Sequence, residues 1–145
     1  MTYCTKQDLI DRFSERELIQ LTDRTNVPAS VIDDTVVGRA IGDAESLADG
    51  YIGKVYTLPL ATTPPVLTKL VADIARFYLH GEGVEKDSPV RIAFNDAVSF
   101  LVNVSRGLVQ LTDATSGDTP AAAGGGQVQV QAPEKTFSRD SLRCY

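Results

Sequence analysis

Apolar residues return at spacings of three and four along most of the chain up to Leu111, which is the period of helices packed on one side. Thr5 followed by Asp8 reads as a hydroxyl cap with an acid in the positive first turn, and it predicts a short helix over Lys6 to Phe13. Ser14 and Glu17 have the spacing of a capping box. Leu18, Ile19 and Leu21 then give a second short helix its apolar face. Asp23 to Ser30, with Asn26 and Pro28, reads as a loop.

From Asp33 onward Val36, Val37, Ala40, Ile41, Ala44, Leu47, Ala48, Tyr51 and Ile52 predict one long amphipathic helix that frays near Lys54. Val55 to Pro65 carries Pro59, Pro64 and Pro65 and reads as an extended loop. Helix resumes at Pro65. Its apolar residues fill most of the circumference and leave a narrow polar stripe of Lys69, Asp73, Arg76 and His80, so it is expected at the centre of the bundle. Gly81 stops it, and Ser88 with Pro89 starts another helix whose inner face is Val90, Ala93, Phe94, Ala97, Leu101 and Val104. Arg106 and Gly107 close that helix, and Leu108 to Leu111 follow as a short strand or an extended packing segment. The expected fold is all-α, a small bundle of three principal helices with a short helical lead-in and an extended C-terminal arm.

After Leu111 the character changes. Small and polar residues dominate, and they cannot bury enough area to offset the ordering of the backbone. The reading is a helical domain over 1–112, a flexible linker over 113–133 and an arm over 134–145. Gln127 to Gln131 alternates Gln and Val as an added strand would, and Phe137, Leu142 and Tyr145 supply apolar anchors beside Arg139 and Arg143. These five residues, Phe137, Arg139, Leu142, Arg143 and Tyr145, are the expected docking residues for a partner protein or a neighbouring subunit.

Charge and composition narrow the chemistry. A net charge of -5 lacks the basic excess of a free-standing nucleic-acid binder. No apolar run is long enough to span a bilayer, and the N-terminus lacks a signal-like stretch, so a soluble protein made in cytoplasm is expected. Cys4 and Cys144 lie at opposite ends and read as free thiols. One histidine and two cysteines do not make a structural zinc site, and neither cofactor nor metal is expected. His80, ending a helix, reads as a residue interacting with the helix dipole. The acids Asp8, Asp11, Glu15 and Glu17 alternate with Lys6, Arg12 and Arg16 in an ordinary solvated pattern. Gly124 to Gly126 follows no strand and lacks the lysine of a phosphate loop. No catalytic residue emerges, and the chain is not expected to be an enzyme.

Gly38, Gly42 and Ser46 stand out, spaced by four inside an otherwise strong helix. Each interior glycine costs roughly 0.5 to 1 kcal/mol relative to alanine, so a gain should offset it, and close approach of another helix is the simplest. That helix belongs either to the same subunit or to a neighbour. Gly42→Leu is expected to overpack the contact.

The segments DLIDRFSERELIQLTDR (Asp8 to Arg24), LADGYIGKVYTLPL (Leu47 to Leu60), PPVLTKL (Pro64 to Leu70) and DIARFYL (Asp73 to Leu79), taken in order, resemble a family of Mu-like phage proteins. That family is long described as a domain of unknown function and is placed among head-to-tail connector, or adaptor, proteins. The resemblance covers about three quarters of the chain, from Thr5 to about Leu111. It implies a virion protein at the head-tail interface, without catalytic residues, in a ring that the family makes twelve-fold. Its partners would be the portal and a tail-side connector or stopper, with genomic DNA passing through the channel unread. The glycine-rich linker and the aromatic end depart from the compact pattern usual in the family. Two other readings stay open: a tail-completion or stopper protein of the same interface, and a small helical regulatory or binding protein, for which no basic recognition helix is visible.

Overall fold

A computed structural model describes residues 2–111, and five α-helices account for most of them. They are α1 (Lys6–Phe13), α2 (Glu15–Thr22), α3 (Asp34–Ile52), α4 (Pro65–His80) and α5 (Pro89–Ser105), with a 3₁₀ turn at Gly81–Gly83. Among the described residues there is no strand; against the expected packing segment, Leu108 and Val109 form a bend with Leu108 exposed, and only Val109 and Leu111 pack on the core. Leu111 is buried, and its amide donates to the Tyr56 hydroxyl at 2.8 Å.

Local chemistry explains where the helices start. The Thr5 hydroxyl accepts from the Asp8 amide while the Asp8 carboxylate accepts from the Thr5 amide, a reciprocal cap on α1. Asp33 caps α3 by accepting from the amides of Thr35 and Val36. Ser88 accepts from the Val90 amide at the start of α5, and prolines occupy the first helical position of α4 and α5, where no amide is needed. Gly81 and Gly107, after α4 and α5, take positive φ, which glycine adopts without strain.

The expected capping box at Ser14 and Glu17 does not form. Ser14 closes α1 and opens α2 with φ of 77°, and its side chain makes no capping bond. The Glu17 carboxylate is instead drawn across to α4, where Arg76 and His80 take it.

Helix α4 is the hub, packing against α1, α2, α3 and α5. Its buried residues are Leu67, Leu70, Val71, Ala72, Asp73, Ile74, Ala75 and Leu79. Opposite them α3 contributes Val37, Ala40, Ile41, Ala44, Ala48 and Ile52, and α5 contributes Val90, Ala97, Leu101 and Val104. The alanines of α3 let its backbone come close to α4, while Leu67, Ile74 and Leu101 fill the space between. Truncating any of these three to alanine should cost about 2 to 5 kcal/mol.

The polar stripe of α4 is an inter-helix seam. Asp73 is buried and pairs with Lys69 one turn back at 2.8 Å, while Arg76 and His80 face α2. Buried Thr22 is likewise satisfied on both sides: its hydroxyl donates to the Leu18 carbonyl at 2.7 Å and accepts from the Asp33 amide at 3.1 Å. That second bond ties the end of α2 to the start of α3.

Candidate interaction surface

Because α3 turns its alanines and branched residues inward, a run of small residues is left on its outer face, flanked by exposed Thr35, Arg39 and Asp43. Gly38, Gly42 and Ser46 all lie exposed on it, and Gly50 extends the row by another four positions. At a rise of 1.5 Å per residue the row is about 18 Å long. A Cβ at Gly38, Gly42 or Gly50 would meet no described atom within 4 Å. The expected close approach within the same subunit is therefore absent among the described residues, because α4 and α5 pack on the opposite side of the helix. The Ser46 hydroxyl donates back to the Gly42 carbonyl at 2.8 Å, which keeps it low against its own helix.

The N-terminal segment runs alongside this face. The Tyr3 phenol donates to Asp49, and the amides of Tyr3 and Cys4 both donate to Glu45 Oε1. Burial, reinforced by the Asp49 carboxylate, pushes the Tyr3 phenol up from its ordinary range. Burial likewise pushes the Cys4 thiol up to about 12, with Asp8 adding to the effect. Between this segment and α3 lies a concavity of about 410 Å³ whose wall includes Cys4, Val37, Gly38, Ile41, Gly42 and Glu45. Asp34 at its edge pairs with Lys6.

A second surface feature is the loop between α2 and α3. One carboxylate, Asp23, accepts from the amides of Thr25, Asn26, Ser30 and Val31 and from the side chains of Thr25 and Asn26. These donors, the Ser30 amide foremost, hold the Asp23 carboxyl well below the usual carboxylate range. The loop so fixed presents Val27, 98% exposed, at its tip. Sequence reasoning places the loop but misses the role of Asp23, although an aspartate followed at two and three positions by Thr and Asn is the signal of an Asx turn.

On α4, Arg76 Nε donates to Glu17 at 2.7 Å, His80 Nε2 lies 3.3 Å from the same oxygen, and the guanidinium stands 4.5 Å from the centre of the Phe13 ring. This cluster joins α1, α2 and α4. Further along, Phe77 and Phe94 stack at 4.2 Å between ring centres, with exposed Tyr78 tilted against both and Arg91 5.4 Å from Phe77. Burial, with Asp43 and Tyr51 nearby, raises the Tyr78 phenol.

Of the residues singled out in the sequence, Gly38, Gly42 and Ser46 share one face. Phe137, Arg139, Leu142, Arg143, Tyr145 and Cys144 lie outside the described residues.

The model of the family described as Bacteriophage Mu, Gp36 matches residues 3–130. This chain belongs to that family. Gene product J of Escherichia phage Mu is 32% identical over 141 residues, a match covering 96% of each chain. The Mu-like prophage FluMu protein gp36 of Haemophilus influenzae is 29% identical over 127 residues, covering 88% of this chain and 87% of its own. The resemblance read from the short helical segments is thus the family itself, and the chain is a phage protein. One expectation is corrected. The glycine-rich stretch falls inside the match to gene product J, so it is no departure from a shorter family pattern.

Proposed function

We propose that this Gp36-family chain is a non-enzymatic structural subunit of the head-to-tail connector, joining the portal to the tail interface of a tailed phage. The observation that carries the reading is the exposed row on α3, a helix face with two interior glycines that nothing in the described subunit uses. Glycines that weaken a helix and serve no packing within it are accounted for by a neighbour. In a closed ring each copy offers that face to the next, and the absence of side chains lets two backbones approach closely. The arm over 134–145 is a docking segment for the portal or an adjacent copy.

An acidic subunit suits such a position. DNA must pass through the channel, and a lining rich in Lys and Arg would bind phosphates and retard it. A net charge of -5 keeps that attraction weak.

The test is the mass of the purified protein alone and after mixing with the portal, read by mass photometry. The expected result is a small species alone and a defined multiple added to the portal ring. Binding to a tail-side component while the portal is ignored would replace the connector with a stopper or tail-completion role. Binding to neither would overturn the reading.

A further inference from the structure

We infer that in the free subunit the outer face of α3 is covered by residues 134–145 of the same chain. The inference rests on reading that face as a contact surface. It names the occupant before a neighbouring copy arrives.

Three observations select this segment. The first is where the described chain stops: Leu111 is pinned to Tyr56, just beyond the C-terminal end of α3. Gly38 lies 14 positions before Ile52, about 21 Å up the helix. The linker over 113–133 has an extended limit of about 70 Å and a coil span near 25 Å, so it delivers the arm onto the face without strain.

The second is charge. Helix α3 carries Asp34, Asp43, Glu45 and Asp49 against the single base Arg39, with Asp34 paired to Lys6 and Glu45 and Asp49 accepting from the N-terminal segment, and the arm carries Lys135, Arg139 and Arg143 against Glu134 and Asp140. Asp43 is exposed and has no ion pair among the described residues. It stands next to Gly42, where an arginine of the arm can reach it.

The third is shape. Gly38, Gly42 and Gly50 carry no side chain and Ser46 folds back onto its own helix, so an extended backbone can lie along the row between the flanking Arg39 and Asp43, and the row's Gly38 end opens into the concavity of about 410 Å³ beside Cys4, Val37 and Ile41. An aromatic side chain of the arm fills such an apolar hollow. Tethering raises the local concentration of the arm to the millimolar range, so modest contacts suffice. The same tether favours the chain's own arm over a neighbour's in dilute solution. A copy arriving in the ring then displaces it, which keeps free subunits from assembling early.

The experiment is disulfide trapping in the full chain, using native Cys144 in the arm and Ser46→Cys in the row, with Ile92→Cys on α5 as the comparison site. Cys4 is buried with a raised thiol and stays out of the reaction. At low protein concentration under mild oxidation, the link from position 46 to Cys144 within one chain should exceed that from position 92 by about tenfold. Reversing the arm with Arg139→Glu and Arg143→Glu should remove most of the excess. Equal yields at the two positions overturn the inference, and so does a link that forms only between chains. Portal binding measures the connector role separately, so one reading can fail while the other stands.

Discussion

Glu17 on α2 and Arg76 on α4, 59 positions apart in the chain, meet at 2.7 Å. The contact fixes the lead-in helices to the hub of the bundle, and the same carboxylate also takes His80. Both side chains of the pair are about three quarters buried, which sets it apart from a screened surface pair. Glu17→Ala leaves the largely buried guanidinium without its acceptor and should cost about 1 to 2 kcal/mol in chemical denaturation. An unchanged unfolding midpoint would remove the pair from the stability of the fold.

Gly38→Ala should raise the stability of the isolated subunit by about 0.5 to 1 kcal/mol, because the position is helical, exposed and free of neighbours within 4 Å. Gly42→Leu should likewise leave the free subunit folded, in contrast to the overpacking expected from sequence, yet reduce its incorporation into joined heads and tails. Thermal melts and particle yields separate the two effects. Normal yield with Gly42→Leu would dismiss the α3 row as a contact between copies.

Much of this architecture is written in local signals. Caps at Thr5, Asp33 and Ser88, with prolines 65 and 89, mark helix starts through bonds spanning two or three residues, so sequence reading locates them. Glu17 was misassigned because its partners are 59 and 63 positions away, and its spacing from Ser14 satisfied a local rule that the fold does not use. Asp73 reads in the sequence only as part of a narrow polar stripe, and its burial depends on how α4 is surrounded. The row of small residues was legible as a feature. Which molecule it faces depends on packing around the helix, which periodicity does not encode.

The Asp23 loop should resist acid further than an ordinary carboxylate contact. A carboxyl held below its unfolded value contributes stability that is complete above that value, near 3.9, and is lost as pH falls toward the lower folded one. The protection of the Asn26, Ser30 and Val31 amides from hydrogen exchange, relative to their intrinsic rates at each pH, should therefore persist at about pH 4.5 and fall only in stronger acid. Asp23→Ala should abolish that protection at neutral pH. Fast exchange of these amides in the unmodified protein at pH 6 would contradict the bonding described.

Cys4 should be chemically silent while the protein is folded. Its thiol is buried and raised to about 12, so the reactive thiolate is scarce at pH 8. Iodoacetamide followed by peptide mapping should label Cys4 in urea and spare it in native buffer. For a thiol raised in the folded state, the neutral form stabilises the fold below the unfolded value near 8.5, and that contribution fades as pH climbs toward 12. Rapid native labelling would show that the N-terminal segment leaves α3.

The bond between the Leu111 amide and the Tyr56 hydroxyl gives the remainder of the chain a fixed mooring. Whatever residues 134–145 dock onto must therefore lie within reach of that one point, and the number of residues between sets the limit. Shortening residues 113–133 in steps would shorten that reach without touching a single described helix. Tyr56→Phe removes the acceptor and should cost about 1 kcal/mol. It would also release Leu111 from its anchor, moving the last fixed point of the described chain back toward Gly107.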